Sequence, residues 1–153
     1  MVKWLPILLS ISLSVLAVSD VRSRSVSSWW LLASGILNFV FLWILDGWKC
    51  VAVRIVGNLL LLQIIGVALW IYARARHERM SDLFGAGDVI FLMVLSPAFG
   101  WTEYMRFIVA SSIAGIILWP LFRKLQPRKT GVPMVSVMAV VYFIFMGSKL
   151  LVA

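Results

Sequence analysis

Six apolar stretches separated by short polar breaks divide the chain. They lie at residues 4 to 19, 29 to 45, 55 to 73, 83 to 99, 107 to 122 and 131 to 152, each close to the roughly 20 residues that an α-helix needs to cross the hydrocarbon core. The pattern predicts an all-α fold, a polytopic membrane protein with about six transmembrane helices. Two stretches depart from a uniform apolar helix. The fourth holds Gly85, Gly87, Asp88 and Pro97, and the fifth holds Pro120 near its end.

Composition agrees with the pattern and narrows it. Hydrophobic residues make up 63% of the 153 positions and charged residues 13%, against about 25% charged in a soluble domain. Mean hydropathy is +1.03. Six spans would occupy roughly 120 positions, so the connections are short and no soluble catalytic domain fits beside them. Fourteen Lys and Arg against six acidic residues give a net charge of +8. On so apolar a chain that excess predicts cytoplasmic loops and lipid headgroups as partners, not nucleic acid.

The basic residues also orient the bundle. Nine of them fall in the breaks after the first, third and fifth stretches, at Arg22, Arg24, Arg74, Arg76, Arg79, Arg123, Lys124, Arg128 and Lys129. The other side has Lys3, Lys49, Arg54, Arg106 and Lys149. The positive-inside rule then puts both termini outside and those three breaks in the cytoplasm. Lys3, the first apolar run and Ala17-Val18-Ser19 also share features with a signal peptide. The expectation is that this segment stays as the first helix, because cleavage would turn the orienting basic break into an exported tail.

Acidic residues are few, and two stand apart. Asp46 and Glu103 fit outer loops, and Glu78 and Asp82 fit the basic third break. Asp20 instead follows the first apolar run directly, and Asp88 precedes the uninterrupted run Val89 to Leu95. Two further crossings separate them, so both reach the same membrane face whichever side is cytoplasmic. Charges at membrane depth are costly and tend to face a bundle interior or a water-filled cavity. Two neighbouring carboxyls tend to hold one shared proton, the state in which one partner takes a proton from water while the other polarises a scissile carbonyl. Gly85 and Gly87 keep the approach to Asp88 free of side chains, which permits close approach by a helix or an extended substrate. The plain alternative is a pair of helix ends, with Asp88 favoured by the dipole of the helix it opens.

Gly85-Ala86-Gly87-Asp88 at the head of a membrane helix, with Asp20 at the end of the first, resembles the type IV prepilin peptidase family of Gly-x-Gly-Asp membrane aspartic proteases. The resemblance is to the short members that serve Flp-type (tight adherence) pili, and it extends to archaeal preflagellin peptidases. Asp20-Val21-Arg22-Ser23-Arg24-Ser25-Val26 is similar to the family's Asp-x-Arg-x-Arg-x-Ile stretch, and Val132-Pro133-Met134 to the Pro-Phe entry of its last helix. Ser27-Ser28 stands where the family usually has Pro-Asn, and Ile90 where it usually has Lys; neither position carries a proton in the scheme above. The resemblance implies that residues 1–153 form one transmembrane peptidase domain of the inner membrane, with catalytic Asp20 and Asp88 facing the cytoplasm. It implies a prepilin-like precursor as substrate, cut at the membrane boundary to release its basic leader. The chemistry needs no metal or organic cofactor. Larger members also methylate the new N-terminus through a long insertion after the first helix, often with zinc-holding cysteines; here that break spans only Asp20 to Ser28, so no methyltransferase activity is expected.

Two other readings stay open from the residues alone: a small proton-coupled transporter component whose aspartates relay protons or bind a cation, and a non-catalytic subunit of a pilus or secretion assembly. The remaining polar residues have plainer expectations. His77, the sole histidine, reads as a solvated loop residue, which leaves a Ser-His or Cys-His nucleophile system without support. Asn38, Asn58 and Gln63 read as interhelical hydrogen-bonding groups. Trp29, Trp30, Trp48 and Trp101 read as interfacial anchors. Cys50, the one cysteine, excludes an internal disulfide and reads as unreactive.

Overall fold

A computed structural model describes residues 5–23, 28–77, 85–125 and 134–152. Within them the chain is all-α, as the apolar pattern predicts: α1 (Leu5–Ser23), α2 (Ser28–Asp46), α3 (Trp48–Arg76), α4 (Ala86–Leu95), α5 (Trp101–Leu125) and α6 (Met134–Val152), with a single 3₁₀ turn at Ser96–Ala98 after α4. Arg24, Ser25, Val26, Ser27, Glu78, Arg79, Asp82, Arg128, Lys129, Val132 and Pro133 lie outside the described residues. Three helical segments, Trp29–Asp46, Trp48–Arg76 and Trp101–Phe122, are long and apolar enough to cross a membrane.

Each helix buries one stripe at helical spacing. In α2 the stripe is Leu31, Ser34, Asn38 and Leu42, and in α5 it is Tyr104, Phe107, Ser111 and Gly115. α6 is the exception, because Val135 to Ala139 are buried without a break. It packs against α1, α4 and α5. The outward faces carry large apolar side chains such as Val53, Ile64, Ile116 and Ile117, as expected where lipid is the solvent.

Two boundaries differ from the apolar pattern. α3 begins at Trp48, not near residue 55, because Gly47 turns the chain in one residue at φ 79°, a conformation that glycine adopts without strain. Lys49 and Arg54 are therefore helical, and Asp46, expected in a loop, closes an ion pair with Arg54 at 2.6 Å. The fourth stretch also gives less helix than expected. α4 has ten residues, about 15 Å of rise, which is half the hydrocarbon thickness.

A helix that stops at membrane depth leaves carbonyls with no water to satisfy them, at several kcal/mol each in hydrocarbon. Side chains cover those around Ser96-Pro97. Tyr104 Oη donates to Leu92 O at 2.7 Å, Ser96 Oγ to Met93 O at 2.8 Å and Asn38 Nδ2 to Val94 O at 2.9 Å. Asn58 Nδ2 donates to both Ser96 O and Phe99 O at 2.8 Å. Asn38 and Asn58 thus have the interhelical role expected of them, whereas Gln63 is exposed on α3. Phe99 then anchors the turn by stacking on Phe107, with ring centroids 4.9 Å apart, and by meeting Tyr142 edge-on at 5.8 Å.

Candidate active site

Asp20 lies on the buried stripe of α1. Leu13, Leu16 and Asp20 recur at spacings of three and four, so the face that packs Leu13 and Leu16 into the bundle carries Asp20 inward as well. Its relative exposure is 6%, low for a carboxylate with no ion pair among the described residues. The position is also one turn from the C-terminal end of α1, where the helix dipole disfavours an anion.

α6 supplies the compensation. The backbone N–H of Ser136 donates to Asp20 Oδ2 at 3.1 Å. The Ser136 hydroxyl lies 3.1 Å from the same oxygen and 2.7 Å from Ala17 O, so its one proton is shared between two acceptors. Ser136 sits in the first turn of α6, where backbone N–H groups have no partner within the helix. The end of one helix therefore answers the end of another, and Asp20 Oδ1 makes no bond to this serine.

Asp88 is built differently. α4 starts from Gly85, an extended residue at φ −70° and ψ 139°, which makes Asp88 the third helical residue. There the side chain folds back over the start of the helix. A Cβ on Gly85 would stand 3.0 Å from Asp88 Oδ2, closer than ordinary contact, and the Gly85 backbone meets the carboxylate as a hydrogen-bond partner. Glycine at position 85 thus leaves the carboxylate room to sit close against the start of the helix. Gly87 is half-buried in the same turn, while Gly85 and Ala86 are exposed, so the approach to Asp88 is open on that side.

The helices that carry the two carboxylates share neighbours. α2 and α6 each pack against both α1 and α4, and the charge of Asp20 acts on Asp88. Of the other residues considered, His77 is exposed and ends α3 in the left-handed conformation at φ 57°, and Cys50 is exposed near the opposite end of that helix. Trp29, Trp48 and Trp101 stand exposed at the starts of α2, α3 and α5, as interfacial anchors would. Ser136 was not singled out by sequence; its only signal there is its place three residues after Pro133.

Residues 7–119 match the profile of the type IV leader peptidase family, about three-quarters of the chain and both aspartates. The chain belongs to that family. As a leader peptidase family member it takes a prepilin-type leader peptidase role in a membrane setting. The matched stretch ends inside α5, so α6 and its contact with Asp20 lie beyond it. No curated protein and no solved structure matches the chain.

Proposed function

We propose that this leader peptidase family member is an aspartic endopeptidase in which Asp20 and Asp88 together cut a prepilin-like precursor at the cytoplasmic boundary of the inner membrane. The observation that carries the reading is the pair itself: a buried carboxylate at the end of α1 whose charge reaches a second carboxylate at the open head of α4. With one proton shared between them, the ionised carboxylate takes a proton from a water molecule as its oxygen adds to the scissile carbonyl carbon. The protonated partner gives its proton to the carbonyl oxygen. The carboxyl that took the water's proton passes it to the amide nitrogen, and the C–N bond breaks as a hydroxyl of the tetrahedral intermediate returns its proton to the other carboxylate, so that the pair again holds one proton. The substrate is a precursor with a basic leader on the cytoplasmic side and an apolar helix in the bilayer. Flp-type precursors fit the short chain and its resemblance. Co-expression with such a precursor tests the reading: leader removal is the expected result, and a precursor that stays intact beside ample peptidase contradicts it.

Orientation follows from the split of basic residues. In a Cys50→Ser background, cysteines introduced at Ser25 and Ser81 should be protected from an impermeant thiol reagent until the membrane is opened. Labelling of both from outside would reverse the orientation.

The product should carry an unmodified N-terminus. α1 ends at Ser23 and α2 starts at Ser28, and a connection so short cannot wall off the several hundred cubic ångströms that a cofactor the size of S-adenosylmethionine occupies. Purified protein, precursor and labelled methyl donor should yield a cut product without added label, and a methylated product made by this chain alone would refute the expectation.

A further inference from the structure

We infer that Ser136 is a positioning residue for Asp20, holding one carboxylate oxygen so that the other faces Asp88 and the substrate; the inference rests on the peptidase reading above. Asp20 reaches Ser136 across 116 residues of sequence. Both polar groups of the serine meet the same oxygen, Oδ2, and the hydroxyl is also tied to Ala17 O, one turn before Asp20 on α1. Three contacts from one residue thus fix where the α1 backbone, the Asp20 side chain and the head of α6 lie relative to one another.

The surroundings make this arrangement rigid. Val135, Val137, Met138 and Ala139 flank Ser136 and are all buried, so α6 cannot turn to withdraw it without exposing its most buried segment. α6 also packs against α4, the helix that carries Asp88. In this proposal a change at Ser136 moves the Asp20 carboxyl relative to α4 and does not act on the fold alone. Such distances matter because displacing a reacting group by about 1 Å costs on the order of 100-fold in rate. Ser136 itself does not exchange a proton with substrate in this scheme, and its effect passes through Asp20.

A matched comparison separates positioning from packing. Ser34 is a buried serine of the same kind, its hydroxyl 3.0 Å from Ser12 Oγ and 2.7 Å from Trp30 O, and it joins α2 to α1 away from the aspartates. Cleavage of a synthetic precursor by purified protein in lipid would be measured for the unaltered chain, Ser136→Ala, Ser136→Thr and Ser34→Ala, together with each thermal midpoint. Ser136→Ala keeps the backbone donor and loses the hydroxyl, so kcat should fall about ten- to a hundredfold with KM within about twofold. Ser136→Thr should recover most of kcat, and Ser34→Ala should leave kcat within about twofold of the unaltered chain. If Ser136→Ala does not accumulate, Ser136→Cys serves in its place, since a thiol of similar size is a weak donor.

Equal kcat for the unaltered chain and Ser136→Ala would overturn the inference while leaving the peptidase reading intact. Equal losses for Ser136→Ala and Ser34→Ala would also overturn it, by reducing Ser136 to packing. No cleavage by the unaltered chain would instead remove the peptidase reading.

Discussion

Asp20→Asn and Asp88→Asn should each lower the rate of leader removal by about 10²- to 10⁴-fold, the range attributable to a positioned proton donor or acceptor, while both variants accumulate in the membrane as the unaltered chain does. The amide has the size of the carboxyl and keeps an acceptor oxygen. At position 20 that oxygen can still receive the N–H and the hydroxyl of Ser136, 3.1 Å away in the unaltered protein. At position 88 it can still rest against the backbone of Gly85. What asparagine lacks is a group that takes up and gives back a proton near neutral pH, so loss of cleavage without loss of protein isolates the chemistry from the fold. Quantitative blotting of membranes beside an initial-rate assay reads both, and either variant cutting at more than about a tenth of the normal rate would contradict the two-carboxyl mechanism.

The second large effect is on stability. Asn58→Leu should lower the thermal midpoint by roughly 5–15 °C, from a loss of about 2–4 kcal/mol at a few degrees per kcal/mol for a chain of this size. Asn58 is fully buried and its Nδ2 serves two carbonyls, Ser96 O and Phe99 O. Leucine leaves both without that donor, at about 1–3 kcal/mol each. Part of the loss is offset, because Asn58 Oδ1 has no partner among the described residues and its removal relieves a buried acceptor. The same change frees the turn that ends α4, so cleavage should fall along with the midpoint. A midpoint within about 2 °C of the unaltered protein would mean that these carbonyls are satisfied some other way.

Asn58 also marks where sequence and structure part. Its lack of charge within an apolar run was enough to predict an interhelical bond. Which backbone it would serve depended on where α4 stops, and that is a tertiary matter. A 17-residue apolar stretch at 83 to 99 has the length of a span, yet Pro97 removes a donor and Asn38, Asn58 and Tyr104, from three other helices, accept the cost of ending the helix early. Pro120 is the converse case, since α5 continues past it to Leu125. Proline is tolerated within membrane helices when neighbouring groups or local adjustments satisfy the freed carbonyl, and sequence alone does not say which proline finds that help.

The candidate pair rests on a different kind of signal. Crossing number fixes the face on which a residue lies without any knowledge of packing, so Asp20 and Asp88 could be set on one side from the apolar pattern alone. The inward turn of Asp20 follows from its register with Leu13 and Leu16. Ser136 carries no distinctive sequence signal, because serine is common at helix starts and its value lies in a partner 116 positions away. Gly47 carries none for a similar reason: one glycine with positive φ replaces the loop that Lys49 and Arg54 suggested, and the Asp46–Arg54 pair becomes visible only when the two helices meet.

The central claim is that this chain cuts a precursor by itself, through two carboxyls. Its most direct test is mass spectrometry of a synthetic prepilin-like precursor incubated with the purified protein in lipid, with a metal chelator present and the Asp20→Asn, Asp88→Asn double variant beside it. The account predicts one cut, with the basic leader and the mature chain together summing to the precursor plus one water, and an intact precursor in the double variant. An intact precursor with the unaltered protein, or the same cut made by the double variant, would contradict it.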